Sequence, residues 1–108
     1  MSAEPYRTPR PAPASDASTL RQTFILKNKN GLHARPCALL VKTVRPYRCR
    51  VEVEVNGELA NGHSIMGLMA LAAGYESKMT FSIAGEDAAR TMAAVEHLFE
   101  TRFEEAYE

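Results

Sequence analysis

A histidine and an arginine lie two residues apart in the segment NGLHARP, residues 30–36. Pro36 fits the first turn of a helix, because the N–H group that proline lacks would be unpaired there in any residue. The remaining free N–H groups and the positive end of the helix dipole would then face His33 and stabilise an anion. Neutral imidazole is a competent nucleophile near neutral pH, and Arg35 can donate charge-assisted hydrogen bonds to phosphate oxygens. This chemistry would suit a phosphohistidine, and a surface histidine without a role stays open as the alternative.

The composition argues against several other classes of function. The 108 residues leave room for one domain, and their 13 basic and 13 acidic side chains cancel. No net field therefore attracts nucleic acid or a membrane surface, and no apolar run approaches the roughly 20 residues that span a bilayer. The sequence also contains no glycine-rich phosphate loop and no serine-hydrolase elbow. We expect a cytoplasmic protein that binds no nucleotide cofactor.

The remaining histidines and the two cysteines have spacings that match no metal site. Cys37 and Cys49 form neither a redox pair nor a zinc motif, and we expect both to be reduced, packed thiols. His63 and His97 do not fall at a metal-ligand spacing, and we expect His97 to be a half-exposed packing residue of the last helix. The sequence therefore predicts no metal centre.

The elements around His33 follow from turn signals and hydrophobic spacing. A first strand in TFILKN ends at Asn30-Gly31, a dipeptide that favours turns. Apolar residues then recur with helical spacing until Pro46 ends the helix, and they are Cys37, Leu40, Val41 and Val44. These patterns predict a strand, a turn and a helix, with His33 near the helix N-cap.

The middle of the chain contains the strongest hairpin signal. CRVEVEVNGELAN alternates apolar and polar residues, turns at Asn56-Gly57 and returns over residues 59–61. Ser64 is a candidate N-cap for an apolar helix over residues 65–73, which Gly74 would end. A hairpin followed by a second helix is therefore predicted.

The last third of the sequence predicts a strand and a helix. KMTFSIAG alternates as a strand does, and Glu86 and Asp87 are expected in the first turn of a helix whose core-facing stripe is Ala88, Met92, Val95 and Phe99. The resulting βαββαβα order predicts an α+β fold, with a four-stranded, mostly antiparallel sheet and three helices packed on one face, over residues 19–108. Residues 1–18 contain four of the six prolines and no apolar periodicity, and we expect a disordered leader.

NGLHARP resembles the active-site segment of HPr, the histidine-containing phosphocarrier family of bacterial phosphotransferase systems. The resemblance covers about residues 20–106 and includes EVNGE at the hairpin and HSIMGLMAL at the second helix. It implies an open-faced sandwich, with His33 as the phosphoryl acceptor on Nδ1 and Arg35 as the residue that stabilises the phosphate. The protein would then be a monomeric, stoichiometric carrier rather than an enzyme. It would receive phosphate from enzyme I and pass it to a sugar-specific or regulatory A component.

Ser64 has two compatible interpretations. Serine is among the preferred N-cap residues. The resemblance implies in addition that an HPr kinase/phosphorylase phosphorylates Ser64, which would slow phosphorylation of the histidine and engage a transcriptional regulator. Two residues nearby depart from the common family pattern, since His63 replaces a lysine and Ala72 replaces a glycine.

The second helix is apolar on nearly every face, a pattern that by itself indicates a buried helix. In the resembling family, the outward side of this helix docks enzyme I and the sugar-specific components. Ile65, Met66 and Met69 would form this docking patch, because methionine adapts to several partners, and Leu68 and Leu71 would face the core.

Two rival functions stay open. One is the nitrogen-type phosphocarrier, whose relay ends in regulation instead of sugar uptake. The other is a regulatory binding module that is controlled at Ser64 and never carries phosphate on histidine. The known relative of that type lacks the histidine, so His33 argues against the second rival.

Overall fold

The computed structural model describes residues 19–105, so the expected leader over residues 1–18 lies outside the described residues. The elements are β1 (Thr19–Ile25), α1 (Ala34–Val44), β2 (Arg50–Val55), β3 (Glu58–Asn61), α2 (Ile65–Ala70), β4 (Lys78–Ala84) and α3 (Ala88–Glu100). A short turn over Arg102–Glu104 follows α3. The predicted βαββαβα order is confirmed.

The four strands form one sheet in the order β1-β4-β2-β3, and every pairing is antiparallel. Alternation of side chains buries one face of the sheet, which includes Val51, Val53, Val55, Met79, Phe81 and Ile83. The opposite face carries polar pairs, such as Thr23 and Thr80, whose hydroxyl oxygens lie 2.8 Å apart. The three helices pack on the apolar face, as the predicted open-faced sandwich requires.

Four phenylalanines join α3 and the C-terminal turn to the sheet. The rings of Phe24 and Phe99 stack with their centroids 4.8 Å apart, and Phe81 meets both of them edge-on at 5.7 Å. Phe103 packs against Phe99 at 5.0 Å and is only 1% exposed. These contacts anchor the chain beyond α3 close to the start of α1.

Helix α2 ends earlier than the sequence predicts, at Ala70 instead of residue 73. Ala72 has a φ of +52°, a left-handed conformation that cannot continue a right-handed helix. The N–H groups of Leu71 and Ala72 bond to carbonyls only three residues back, those of Leu68 and Met69. The prediction of Gly74 as the stop was wrong because the chain leaves the helix at an alanine.

The start of α3 also differs from the prediction. Glu86 and Asp87 precede the helix, and Asp87 is its N-cap residue without a side-chain capping bond. The Asp87 carboxylate instead accepts hydrogen bonds from the backbone N–H of Arg48 at 2.8 Å and from the Arg90 guanidinium at 3.1 Å. These bonds, first of all the one from Arg48, lower the pKa of Asp87, and they join α3 to the loop before β2.

Candidate functional site

His33 is the N-cap residue of α1, as the sequence predicts. Its backbone is extended, with φ −86° and ψ −169°, and its carbonyl accepts the first helical hydrogen bond, from the Cys37 N–H at 3.1 Å. The N–H groups of Ala34 and Arg35 have no carbonyl one turn earlier to bond, and they lie at the positive end of the helix dipole. The His33 side chain therefore stands beside a place where negative charge is stabilised.

The loop that carries His33 packs against the segment that follows α2. The N–H of Leu32 donates to the carbonyl oxygen of Ala73 at 2.8 Å. Gly31 has a φ of +70°, and a Cβ added there would lie 2.6 Å from the same oxygen. Only glycine adopts this positive φ and also leaves room for the Ala73 oxygen without strain. The Asn30-Gly31 turn therefore fixes the position of His33 relative to α2.

A carboxylate that the sequence analysis missed lies beside the His33 ring. Oε2 of Glu105 is 3.1 Å from Nε2 of His33, and the Glu105 side chain is 8% exposed against 40% for His33. Nε2 is shielded from solvent. A hydrogen on Nε2 would not point at Oε2, so the contact is electrostatic rather than a directed hydrogen bond. The exposed part of the His33 side chain lies away from Nε2.

Arg35 is the most exposed member of this group. Its Nη1 lies 4.0 Å from Oε2 of Glu105, and its side chain is 77% exposed. A contact of 4.0 Å made by so exposed a guanidinium is weak, because water competes for the charge of Arg35. The guanidinium of Arg35 can therefore turn towards an incoming phosphate at little cost.

Glu105 is held in place by a hydrogen bond from Asn28, a residue distant from it in the sequence. Nδ2 of Asn28 donates to Oε1 of Glu105 at 2.6 Å and to the Arg102 carbonyl at 2.9 Å. Residues 102–104 form a left-handed turn with φ values of 51°, 54° and 63°, which burial of Phe103 helps to maintain. No local pattern points to Glu105, because acidic residues after a last helix look like a solvated chain end.

Ser64 and the expected docking residues lie together on α2. Ser64 is the N-cap, and its Oγ accepts a hydrogen bond from the Gly67 N–H at 2.9 Å, which confirms its structural interpretation. Met66 is 81% exposed, Met69 43% and Ile65 38%, whereas Leu68 and Leu71 are buried as predicted. The outward face of α2 therefore presents apolar surface to solvent.

The structure keeps the two predicted groups of site residues apart. Within residues 19–105, no hydrogen bond or ion pair joins Ser64 to His33 or Arg35. The backbone bond from Leu32 to Ala73 links the two regions, and α1 also packs against α2. His33 and Arg35 instead share Glu105, which neither motif contains.

The other titratable candidates have structural surroundings. Burial raises the pKa of Cys37 to about 11, and burial also lowers the pKa of His63, whose ring bonds to the Cys49 backbone. His97 lies on the exposed side of α3. In the described part of the chain, no three His, Cys, Asp or Glu side chains cluster as metal ligands, and none of its helices could span a membrane.

Comparison with known proteins agrees with this geometry. The family model "PTS HPr component phosphorylation site" matches residues 20–101. Phosphocarrier protein HPr of Xylella fastidiosa (strain 9a5c) is 41% identical over 86 residues, which cover 80% of this chain and 97% of the relative. Crystalline HPr-C-His of Thermoanaerobacter tengcongensis is 35% identical with a TM-score of 0.77, over 82% of this chain and 99% of that chain. The solution structure of Crh, the Bacillus subtilis catabolite repression HPr, is 34% identical with a TM-score of 0.55, over 82% of this chain and 100% of that chain.

The family match covers three of the predicted site residues and nearly the whole sheet, and it ends before Glu105. The match begins in β1 and extends past the end of α3, so it includes His33, Arg35 and Ser64. The chain belongs to the HPr family and is a phosphocarrier of the phosphotransferase system, not an enzyme.

Proposed function

We propose that His33 carries the phosphoryl group on Nδ1. In this proposal, phosphorylated enzyme I donates the group, and a sugar-specific A component receives it. The observation that carries the proposal is the position of the His33 ring at the N-terminus of α1, with the exposed Arg35 guanidinium two residues away. Both features stabilise the charge of a phosphate on the ring.

A carrier needs little catalytic machinery of its own. Phosphoryl transfer depends mainly on alignment and on stabilisation of charge on the equatorial oxygens. The free N–H groups of Ala34 and Arg35 and the Arg35 side chain can supply that stabilisation, and the partner protein can supply the rest. Imidazole is also a good leaving group, so the phosphohistidine passes its group on readily.

The test is to incubate the protein with phosphoenolpyruvate and enzyme I and to measure its mass before and after mild acid. We expect one acid-labile phosphate, which His33→Ala abolishes. His97→Ala is the matched control, because His97 is an exposed histidine on α3 and its loss should leave the label unchanged. A wild-type protein without acid-labile phosphate would refute the proposal.

Phosphorylation of Ser64 by an HPr kinase/phosphorylase is the regulatory part of the proposal. A phosphate on Ser64 would bring roughly −2 charge to the edge of the apolar face formed by Ile65, Met66 and Met69. Charge at that edge opposes the docking of an apolar partner surface, so transfer to His33 should slow.

Ser64→Asn tests this regulation more cleanly than Ser64→Ala. Asparagine still caps the helix but cannot be phosphorylated, so the fold is kept while the modification site is lost. Incubation with ATP and the kinase should place acid-stable phosphate on the wild type and none on Ser64→Asn. Ser77→Ala is the control, because the Ser77 hydroxyl also accepts a backbone N–H, from Gly74 at 2.9 Å, outside the docking face. Label that survives in Ser64→Asn would contradict the assignment.

A regulatory binding module is the second candidate, and the likeness to Crh favours it. The same two incubations separate the candidates, since a module of this kind would accept phosphate on Ser64 and none on His33.

A nitrogen-type relay would show the histidine label but pass it to a regulatory A component instead of a sugar-specific one. For the carrier we also propose a cytoplasmic location and a monomeric state. Gel filtration with light scattering would check the monomeric state.

A further inference from the structure

Glu105 and Asn28 form a buried polar chain behind the His33 ring. Oε1 of Glu105 accepts the Asn28 side-chain N–H at 2.6 Å, and Oε2 faces Nε2 of His33 at 3.1 Å. The Glu105 side chain is only 8% exposed, and Nε2 of His33 is shielded from solvent. Water therefore cannot easily take the place of either contact.

The carboxylate makes the two ring nitrogens of His33 unequal. A lone pair on Nε2 would face the negative Oε2 at 3.1 Å, whereas a proton on Nε2 would be attracted to it. The partner of one ring nitrogen decides which tautomer a histidine adopts. With the proton on Nε2, the lone pair lies on Nδ1, away from the buried edge of the ring.

We infer that Glu105, held by Asn28, is a positioning residue that keeps the proton on Nε2 of His33 and so directs the phosphoryl group to Nδ1. This inference rests on the proposed function of His33. It adds to the site a residue that follows the turn after α3 and that the NGLHARP motif does not contain.

The transfer step balances without an added base. The Nδ1 lone pair attacks the phosphorus of the phosphorylated donor, the new N–P bond forms, and the donor atom keeps the electron pair of its broken bond to phosphorus. No proton moves, because Nε2 already carries its own. The His33 ring becomes positively charged, and the Glu105 carboxylate lies where it stabilises that charge. The ring can turn to bring its N–H onto Oε2 as the charge develops, since such bonds often tighten only during the reaction.

The backbone around Glu105 is consistent with this role. Three successive non-glycine residues, 102–104, adopt left-handed conformations, and the Asn28 side chain bonds to the Arg102 carbonyl within them. Strain of this kind persists only where surrounding contacts over-determine it, and it concentrates at functional sites. The turn directs the Glu105 side chain inwards, while the neighbouring Glu104 is exposed.

Nitrogen-15 chemical shifts of the His33 ring in the full, unphosphorylated chain test the inference without any transfer reaction. We expect the wild type to favour the Nε2–H tautomer more strongly than a histidine peptide measured alongside it. Glu105→Gln should bring the tautomer ratio towards that of the peptide, and Asn28→Ala should do so in part by releasing the carboxylate. Glu104→Gln is the matched control and should leave the ratio unchanged.

Phosphoryl transfer from enzyme I provides the second measurement. Glu105→Gln should slow transfer to His33 on the order of tenfold, as loss of an orienting contact commonly does, and should allow some phosphate on Nε2. Unchanged thermal unfolding would show that the effect is not a loss of fold. If Glu105→Gln and Glu104→Gln have the same tautomer ratio and transfer rate, the inference is overturned while the carrier function stands. A wild type that takes no phosphate on His33 would overturn the proposed function instead.

Discussion

The exposed face of α2 allows one prediction to be worked out in energy. Full burial of a methionine side chain is worth about 1.5–3 kcal/mol, and Met66 is 81% exposed, so docking of a partner over it would gain about 1.2–2.4 kcal/mol. Met66→Glu removes this gain and must also dehydrate a carboxylate at the interface. We therefore expect it to weaken partner binding by at least roughly 8- to 60-fold. The free energy of unfolding should change by no more than about 0.5 kcal/mol, because Met66 makes little contact with the core.

Steady-state phosphoryl transfer from enzyme I is the assay, with the carrier as the varied substrate. We expect KM to rise while kcat changes little, since Met66 would contribute to docking and not to the reacting centre. Leu59→Glu is the matched control: Leu59 is 61% exposed, and because its neighbour Ala60 packs on the core, its side chain points to the open face of the sheet. Equal effects of Met66→Glu and Leu59→Glu, or none from Met66→Glu, would refute α2 as the docking face.

Three further predictions concern the framework of the site. Gly31→Ala should destabilise the fold by at least about 2 kcal/mol in chemical denaturation, because a positive φ adds to the approach of Ala73; an unchanged midpoint would contradict this geometry. Ala72→Gly should raise stability by up to about 1 kcal/mol, because glycine accepts a φ of +52°; a loss of stability would show that the strain is not relieved. Cys37, with its pKa raised to about 11 by burial, should react with iodoacetamide at pH 8 much more slowly in the folded than in the unfolded chain. Mass spectrometry of timed samples should show Cys49 modified first, and the reverse order would contradict the burial of Cys37.

Local patterns were sufficient for the elements and for two of the site residues. The alternation in β2 and β4 and the apolar spacing in α1 depend on the side-chain period of each element, which neighbouring residues alone determine. His33 at the start of α1 and Ser64 as the N-cap of α2 could be predicted for the same reason, since caps and turns are made by residues a few positions apart.

Contacts between distant residues decided what the sequence left undetermined. The early end of α2 follows from the left-handed Ala72, which no residue type predicted, because alanine is an ordinary helix former. Asp87 bonds to the loop before β2 instead of entering the first turn of α3, a contact 39 residues apart. These differences arise because tertiary hydrogen bonds and packing override weak local preferences.

The sequence by itself determined that a histidine and an arginine stand at the start of a helix, because their spacing and the following proline act within a few residues. Only the tertiary structure decided that the ring of His33 shares a buried carboxylate with Asn28, which lies 77 residues from Glu105. The physical reason is that packing of Phe103 against α3 brings the chain end back to the first loop, and no pattern within either segment encodes that meeting.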